Sequence, residues 1–181
     1  MRLQNNLLVL ILVFLLIFSI NGSCLADSIF PPIARGNIER VEDMIEKGAD
    51  VNARDRNNVT ALMNAAYYKN PEIVRLLIEN GANIEDKNEI GDTALTYACI
   101  NDSPKSAEIL IEYGAKINIQ DEDGMTALMY AAAYEAPRTV KTLIDAGAKL
   151  NLKDKFKDTA LEIAIEEEHA EVIKLLKEAS D

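Results

Sequence analysis

Residues 60–85 read TALMNAAYYKNPEIVRLLIENGANIE, and a segment of the same pattern, TALMYAAAYEAPRTVKTLIDAGAKLN, occupies residues 126–151. Three markers within these segments recur along the chain every 33 residues. They are Thr-Ala-Leu beginning at Thr60, Thr93, Thr126 and Thr159, Gly-Ala beginning at Gly48, Gly81, Gly114 and Gly147, and a proline at Pro71, Pro104 and Pro137. Self-similarity at a fixed period of this length is typical of a repeat architecture.

Each marker predicts a local structure. A threonine directly before an apolar run can cap the first turn of a helix with its hydroxyl. The proline suits the first position of a second helix, where its missing N–H is not needed, and the glycine suits the end of that helix in a left-handed conformation. About eleven residues with turn signals, such as Asp121-Glu122-Asp123-Gly124, separate the glycine from the next threonine and predict a protruding finger. Each unit is therefore a helix, a turn, a second helix and a finger, and stacked units bury a continuous core.

This pattern resembles the ankyrin repeat, whose motif T-P-L-H-x-A-A…G-H-x-E-V-V…L-L…G-A-D-V-N is matched closely, almost letter for letter in GADVNARD at residues 48–55. The resemblance covers residues 27–181. It implies an all-α solenoid of stacked helix-turn-helix repeats with protruding β-hairpin-like fingers. The predicted units are a degenerate leading unit at 27–57, repeats at 58–90, 91–123 and 124–156, and a C-terminal capping unit at 157–181.

The chain departs from this motif at three positions of the unit. The proline after threonine is replaced by Ala61, Ala94, Ala127 and Ala160. The motif's histidine is replaced by Met63, Thr96, Met129 and Glu162, which implies that its hydrogen bonds to the finger are lost. The glycine between the helices remains only as Gly36, with Lys69, Asp102, Glu135 and Glu168 in the other units. In the leading unit, Pro31 and Pro32 fall inside the first helix and should shorten it.

Residues 1–26 have the pattern of a secretory signal peptide. Arg2 precedes an uncharged apolar run from residue 7 to 20, and Cys24 and Ala26 form a small-x-small site that predicts cleavage after Ala26. The run is shorter than the ~20 residues that a membrane-spanning helix needs. Two alternatives remain open: lipidation of Cys24, although Asn21 stands where an aliphatic residue is expected, and an uncleaved anchor. We expect a bacterial protein exported to the periplasm or the extracellular space.

Composition and motifs argue against catalysis, metal binding and nucleic-acid binding. The net charge of −11 disfavours contact with nucleic-acid backbones. Two cysteines make no disulfide framework and no zinc motif. The only histidine, His169, has no nucleophile motif around it, and the residues at both ends of a calcium loop aligned on Gly124 would be Ile119 and Tyr130. We expect no catalytic residue, no cofactor and no metal.

Three functions remain to be compared. The resemblance favours a monomeric, non-catalytic protein–protein interaction module, because ankyrin arrays are binding scaffolds; a host-directed effector is a variant of this function. The second is a membrane-tethered scaffold, and the third is an enzyme with an unrecognised site. The partner is expected to be another protein, with membrane contact only through the N-terminal segment.

The tyrosines predict where that partner binds. Five of the six lie on first helices, which together with the fingers line the concave face in the ankyrin family. Those at offsets four and eight from the threonine share one side of the helix. The predicted binding residues are Tyr67, Tyr68, Tyr97, Tyr130 and Tyr134, extended on the fingers by Arg56, Ile90, Met125 and Phe156. Alternatively, Tyr97 and Tyr130 pack between units. Cys99, at a small-residue core position, is expected to be buried.

Overall fold

The computed structural model of the protein describes residues 28–180. The predicted signal peptide, the cleavage position after Ala26 and the alternative lipidation site Cys24 lie outside the described residues. Within residues 28–180 there are ten helices. They are α1 Phe30–Ala34, α2 Ile38–Glu46, α3 Ala61–Tyr67, α4 Pro71–Glu79, α5 Ala94–Ile100, α6 Pro104–Glu112, α7 Ala127–Ala133, α8 Pro137–Asp145, α9 Ala160–Glu166 and α10 Ala170–Glu178.

From α3 onward, the first helix of each unit begins after a threonine. The hydroxyls of Thr60, Thr126 and Thr159 each accept a hydrogen bond from the backbone N–H three residues later. The residues that replace the motif's histidine complete the cap in return. The thioethers of Met63 and Met129, the Thr96 hydroxyl and the Glu162 carboxylate accept the N–H of the capping threonine. The replacements therefore still satisfy a backbone donor at each helix start.

Helix α1 is shorter than the other first helices. It has five residues, whereas α3 has seven, and its first turn carries Pro31 and Pro32. Because a proline interior to a helix removes a hydrogen bond and clashes with the preceding turn, the two prolines are accommodated only at its start.

The second helices end as their glycines predict. Gly48, Gly81, Gly114 and Gly147 all have φ between 84° and 94°. At the first of these ends, the N–H of Gly48 donates to the Ile45 carbonyl and the N–H of Ala49 donates to the Met44 carbonyl. These two hydrogen bonds form the pattern that closes a helix through a left-handed residue.

The helices stack in two layers. First helices α1, α3, α5, α7 and α9 contact one another in chain order, and second helices α2, α4, α6, α8 and α10 do the same. Small buried residues on the first helices, such as Ala65, Ala98 and Ala131, let neighbouring units approach closely. Large apolar residues of the second helices, including Leu77 and Leu143, fill the space between the layers. One continuous core therefore runs through all units.

The fingers are tied to one another by a repeated hydrogen bond. In each case a backbone N–H donates to a side-chain oxygen 31 residues earlier in the chain. The pairs are Asn83 to Asn52 (2.9 Å), Lys116 to Glu85 (3.0 Å) and Lys149 to Asn118 (2.8 Å). Isolated antiparallel bridges join Arg54 to Thr60 and Gln120 to Thr126 at two finger bases. The structure confirms the predicted all-α solenoid of stacked helix pairs. No helix within residues 28–180 is long and apolar enough to cross a membrane.

Candidate protein-binding surface

We call the exposed side of the first helices, together with the fingers, the inner face. Tyr68 and Tyr134, both at offset eight, are 45% and 55% exposed there. Tyr67, one position earlier, is 37% exposed. None of the three hydroxyls has a hydrogen-bond partner within residues 28–180. These side chains combine a large apolar ring with a free polar end, the character of residues that dominate protein interfaces.

The two offset-four tyrosines are held differently. Tyr97 and Tyr130 are half-buried, and their hydroxyls bond to the finger that precedes their own helix. Asn88 Nδ2 donates to the Tyr97 hydroxyl (3.2 Å), and the Tyr130 hydroxyl donates to Asp121 Oδ2 (2.7 Å). Burial, together with the hydrogen bond to Asp121, raises the pKa of Tyr130 and keeps this hydroxyl a donor. These two side chains brace the fingers as well as lining the inner face.

Ring contacts arrange the five tyrosines in two groups. Tyr67 meets Tyr68 edge-to-face with centroids 5.3 Å apart, and it meets Tyr97 in the next unit at 6.2 Å. Tyr130 and Tyr134 stack at 6.4 Å with an interplanar angle of 15°. Among residues 28–180 no ring contact joins the two groups. The predicted patch is therefore a pair of aromatic clusters on one side of the solenoid.

The four predicted finger residues differ in exposure. Phe156 is 82% exposed, more than any other large apolar side chain among residues 28–180, and Ile90 occupies the equivalent position two fingers earlier. Arg56 is also exposed. Met125 is half-buried and packs against the core, so only its outer part is available to a partner.

A cavity of about 600 Å³ opens at the N-terminal end of the inner face. It lies between α1, α3 and the first finger, and its walls include Phe30 and Pro31 from α1, Tyr68 directly after α3, and Arg54 and Arg56 from the finger. Two predicted binding residues, Arg56 and Tyr68, thus share one cavity. The contribution of α1 was not predicted, because the leading unit departs furthest from the repeat motif.

Asp92 was also missed by sequence reasoning. Its side chain is 3% exposed, and Oδ1 has no hydrogen-bond partner within the described part of the chain. Burial raises the pKa of Asp92; the hydrogen bond from Asn88 opposes the rise, and the Asp121 charge adds to it. The sequence did contain a signal: when the units are aligned, Asp92 stands at the position that the apolar residues Val59 and Met125 occupy in the units before and after it.

His169 and Cys99 have structural roles. His169 Nδ1 lies 2.8 Å from the Ala132 carbonyl of the preceding unit, so this nitrogen carries the proton and joins two units. Cys99 is fully buried, and burial raises the pKa of its thiol. Within residues 28–180 no group of three or more His, Cys, Asp or Glu side chains is placed to hold a metal ion.

Comparison with known proteins agrees with this architecture. A search of curated proteins gives no significant match. Residues 33–121 and 113–181 match the family model for ankyrin repeats (3 copies), which spans most of the chain. The repeat period, the paired helices with their fingers and this match together establish that the chain belongs to the ankyrin-repeat family.

Proposed function

We propose that this protein is an exported, non-catalytic module that binds one protein partner on its inner face. Ankyrin repeats are generally protein–protein interaction modules. The observation that carries the choice of face is the exposure of Tyr68 and Tyr134, directly after two first helices, and of Phe156 on a fingertip. Aromatic side chains of this size bury roughly 150–250 Å² each on association, so a few of them can supply much of the binding energy of an ordinary interface.

The second helices offer a weaker alternative surface. Tyr113, the one tyrosine near that layer, follows α6 and is already engaged: its hydroxyl donates to Glu79 (2.8 Å), and the Arg75 guanidinium lies 5.7 Å from its ring centroid. Arg75 also pairs with Glu112. Polar groups that satisfy one another in this way have less to gain from a partner than the free hydroxyls of the inner face.

The test replaces Tyr68 and Tyr134 with alanine in one variant. Because both side chains are exposed and neither hydroxyl has a partner among the described residues, we expect little loss of folding stability. Partner binding should weaken by more than ~1 kcal/mol, measured by calorimetry with the partner captured from the native compartment.

The matched control replaces Lys105 and Lys141, which are exposed on α6 and α8. Neither lysine has an ion-pair partner among residues 28–180, so the control avoids the Arg75 network. If the lysine pair weakens binding and the tyrosine pair does not, the partner binds the second-helix layer and the proposed face is wrong.

Export is supported by the N-terminal sequence alone. We propose that the mature chain begins at Asp27, because cleavage after Ala26 follows the small-x-small site and leaves the chain starting at a unit boundary. The measurement is the intact mass of the protein recovered separately from the membrane fraction, the periplasm and the medium. A diacylglyceryl group on Cys24 or a retained Met1 would instead identify a membrane-tethered scaffold.

A further inference from the structure

We propose that the cavity at the N-terminal end of the inner face binds an acidic residue of the partner protein together with an adjacent apolar side chain. This inference rests on the proposed function and adds the chemistry of the partner. We call this cavity the N-terminal pocket; its lining includes Phe30, Pro31, Tyr68, Arg54, Asp55 and Arg56.

One side of the N-terminal pocket is apolar. Phe30 is half-buried and packs against the core, so its ring has a defined position, and Pro31 beside it is exposed. Tyr68 closes the opposite side from α3 and is itself held edge-to-face by Tyr67. The volume of about 600 Å³ lies within the range of roughly 300–1,000 Å³ typical of ligand sites. It accommodates a large side chain with its flanking backbone.

The other side is a finger wall, formed by Arg54, Asp55 and Arg56, with one unpaired cation. The Arg54 guanidinium is fully engaged: it forms an ion pair with Asp86 and donates to the carbonyls of Asn58 (3.1 Å) and Lys87 (2.9 Å). Asp55 Oδ1 accepts backbone N–H groups at 2.8 and 3.0 Å. The Arg56 guanidinium, in contrast, has no hydrogen-bond or ion-pair partner within residues 28–180.

An unpaired guanidinium beside an apolar wall selects a carboxylate. Its planar donors match the two oxygens of a carboxylate in a bidentate arrangement, which a lysine or a neutral amide of the partner cannot provide. A basic partner side chain would instead meet the unpaired guanidinium of Arg56.

This charge is particular to the first finger. The equivalent positions of the other fingers are Glu89, Glu122 and Lys155, and Lys155 is paired with Asp123 at 3.0 Å. Among the described fingers, an acidic residue of the partner therefore finds an unpaired cation at this position only in the N-terminal pocket.

The experiment titrates the isotope-labelled exported protein with three capped hexapeptides, Ala-Ala-Phe-X-Ala-Ala, in which X is aspartate, asparagine or lysine. We expect saturable amide shifts confined to α1, α3 and the first finger. The aspartate peptide should bind about five-fold tighter than the asparagine peptide and tighter still than the lysine peptide. Equal or tighter binding of the lysine peptide, shifts elsewhere, or no saturation by about 10 mM would overturn the inference.

Two variants test the role of the guanidinium. Arg56→Gln should reduce affinity for the aspartate peptide by about five-fold and leave the asparagine peptide unchanged. Lys87→Gln removes one positive charge from the next finger and should leave the affinities for both peptides unchanged. The assignment would be refuted if Arg56→Gln bound the aspartate peptide as tightly as the unmodified protein, or if Lys87→Gln lost as much affinity for it as Arg56→Gln. If Tyr68→Ala with Tyr134→Ala weakens partner binding while Arg56→Gln does not, the proposed function stands and this inference fails.

Discussion

Every turn between the two helices of a unit contains a residue in the left-handed conformation, and only one of the five among residues 28–180 is glycine. The φ angles are 67° at Gly36, 57° at Lys69, 45° at Asp102, 49° at Glu135 and 60° at Glu168. In this conformation the Cβ of an L-residue crowds the following carbonyl oxygen. We therefore expect Lys69→Gly and Glu135→Gly to stabilise the protein.

The size of the effect follows from two opposing terms. Holding an L-residue in this conformation costs roughly 1–2 kcal/mol, and glycine is free of that strain. Glycine loses more backbone freedom on folding, about 0.5–1 kcal/mol relative to alanine. The net gain is about 0.5–1 kcal/mol for each substitution. Lys69 and Glu135 are exposed and lie two units apart, so the double variant should gain about 1–2 kcal/mol.

Urea unfolding provides the assay. The midpoint should rise without a change in slope, and the melting temperature should rise by about 2–4 °C for each kcal/mol. Lys69→Ala and Glu135→Ala are the matched controls, because they remove the same side-chain atoms beyond Cβ and keep the strain. If the glycine variants are no more stable than the alanine variants, left-handed strain does not limit the stability of this array.

Asp102 has the same backbone conformation but should respond in the opposite direction. Its Oδ1 accepts from the Thr139 N–H and hydroxyl, both at 3.0 Å, and its Oδ2 accepts from Arg138 Nε at 2.7 Å. Asp102→Gly would leave the buried Thr139 hydroxyl without this partner. We expect a net loss of about 1 kcal/mol in the free energy of unfolding, because the lost hydrogen bonds exceed the relieved strain.

Two further predictions concern buried ionisable groups. Because burial raises the pKa of Asp92, the folded chain binds its proton more tightly than the unfolded chain, and the free energy of unfolding falls as pH rises from the ordinary aspartate pKa through the raised one. Asp92→Asn should therefore stabilise the protein by about 1 kcal/mol at neutral pH and by less below the ordinary aspartate pKa. The control Asp158→Asn, at the equivalent, half-buried position, should have a smaller effect. A gain in stability that does not depend on pH would show that titration of Asp92 is not its cause. The Cys99 thiol, fully buried with a raised pKa, should react with a thiol reagent only after denaturant is added, and fast labelling of the native protein would contradict this packing.

The parts of the fold that were predicted are those that local signals determine. A threonine acts as a cap within one helical turn, and Gly-Ala ends a helix within two residues, so both can be read from a short segment. The residue between the helices was predicted less well. Lys69 and Glu135 do not favour a left-handed turn by themselves, and they adopt it because the two helices on either side must pack against the same neighbours.

The candidate surface shows the same division. Sequence offsets placed four tyrosines, Tyr68, Tyr97, Tyr130 and Tyr134, on one side of the first helices. In the structure Tyr130 contacts Tyr134, and Tyr67 contacts both Tyr68 and Tyr97. Which of them are free was not predictable, because the partners of Tyr97 and Tyr130 lie nine residues earlier, in the preceding finger. The N-terminal pocket was missed for a related reason: it combines a short helix, a finger and the next unit, which no single repeat motif describes.

The sequence by itself determined the 33-residue period, the family, the helix starts and the glycine stops, since each depends on contacts within one unit and recurs in every copy. Only the tertiary structure decided which polar groups are satisfied. Arg54 is occupied because Asp86 and the Lys87 carbonyl approach it from the next unit, 32 and 33 residues away, whereas Arg56 has no partner among the described residues. Stacking sets burial and partnership between units, so two arginines two residues apart in the same finger have different roles.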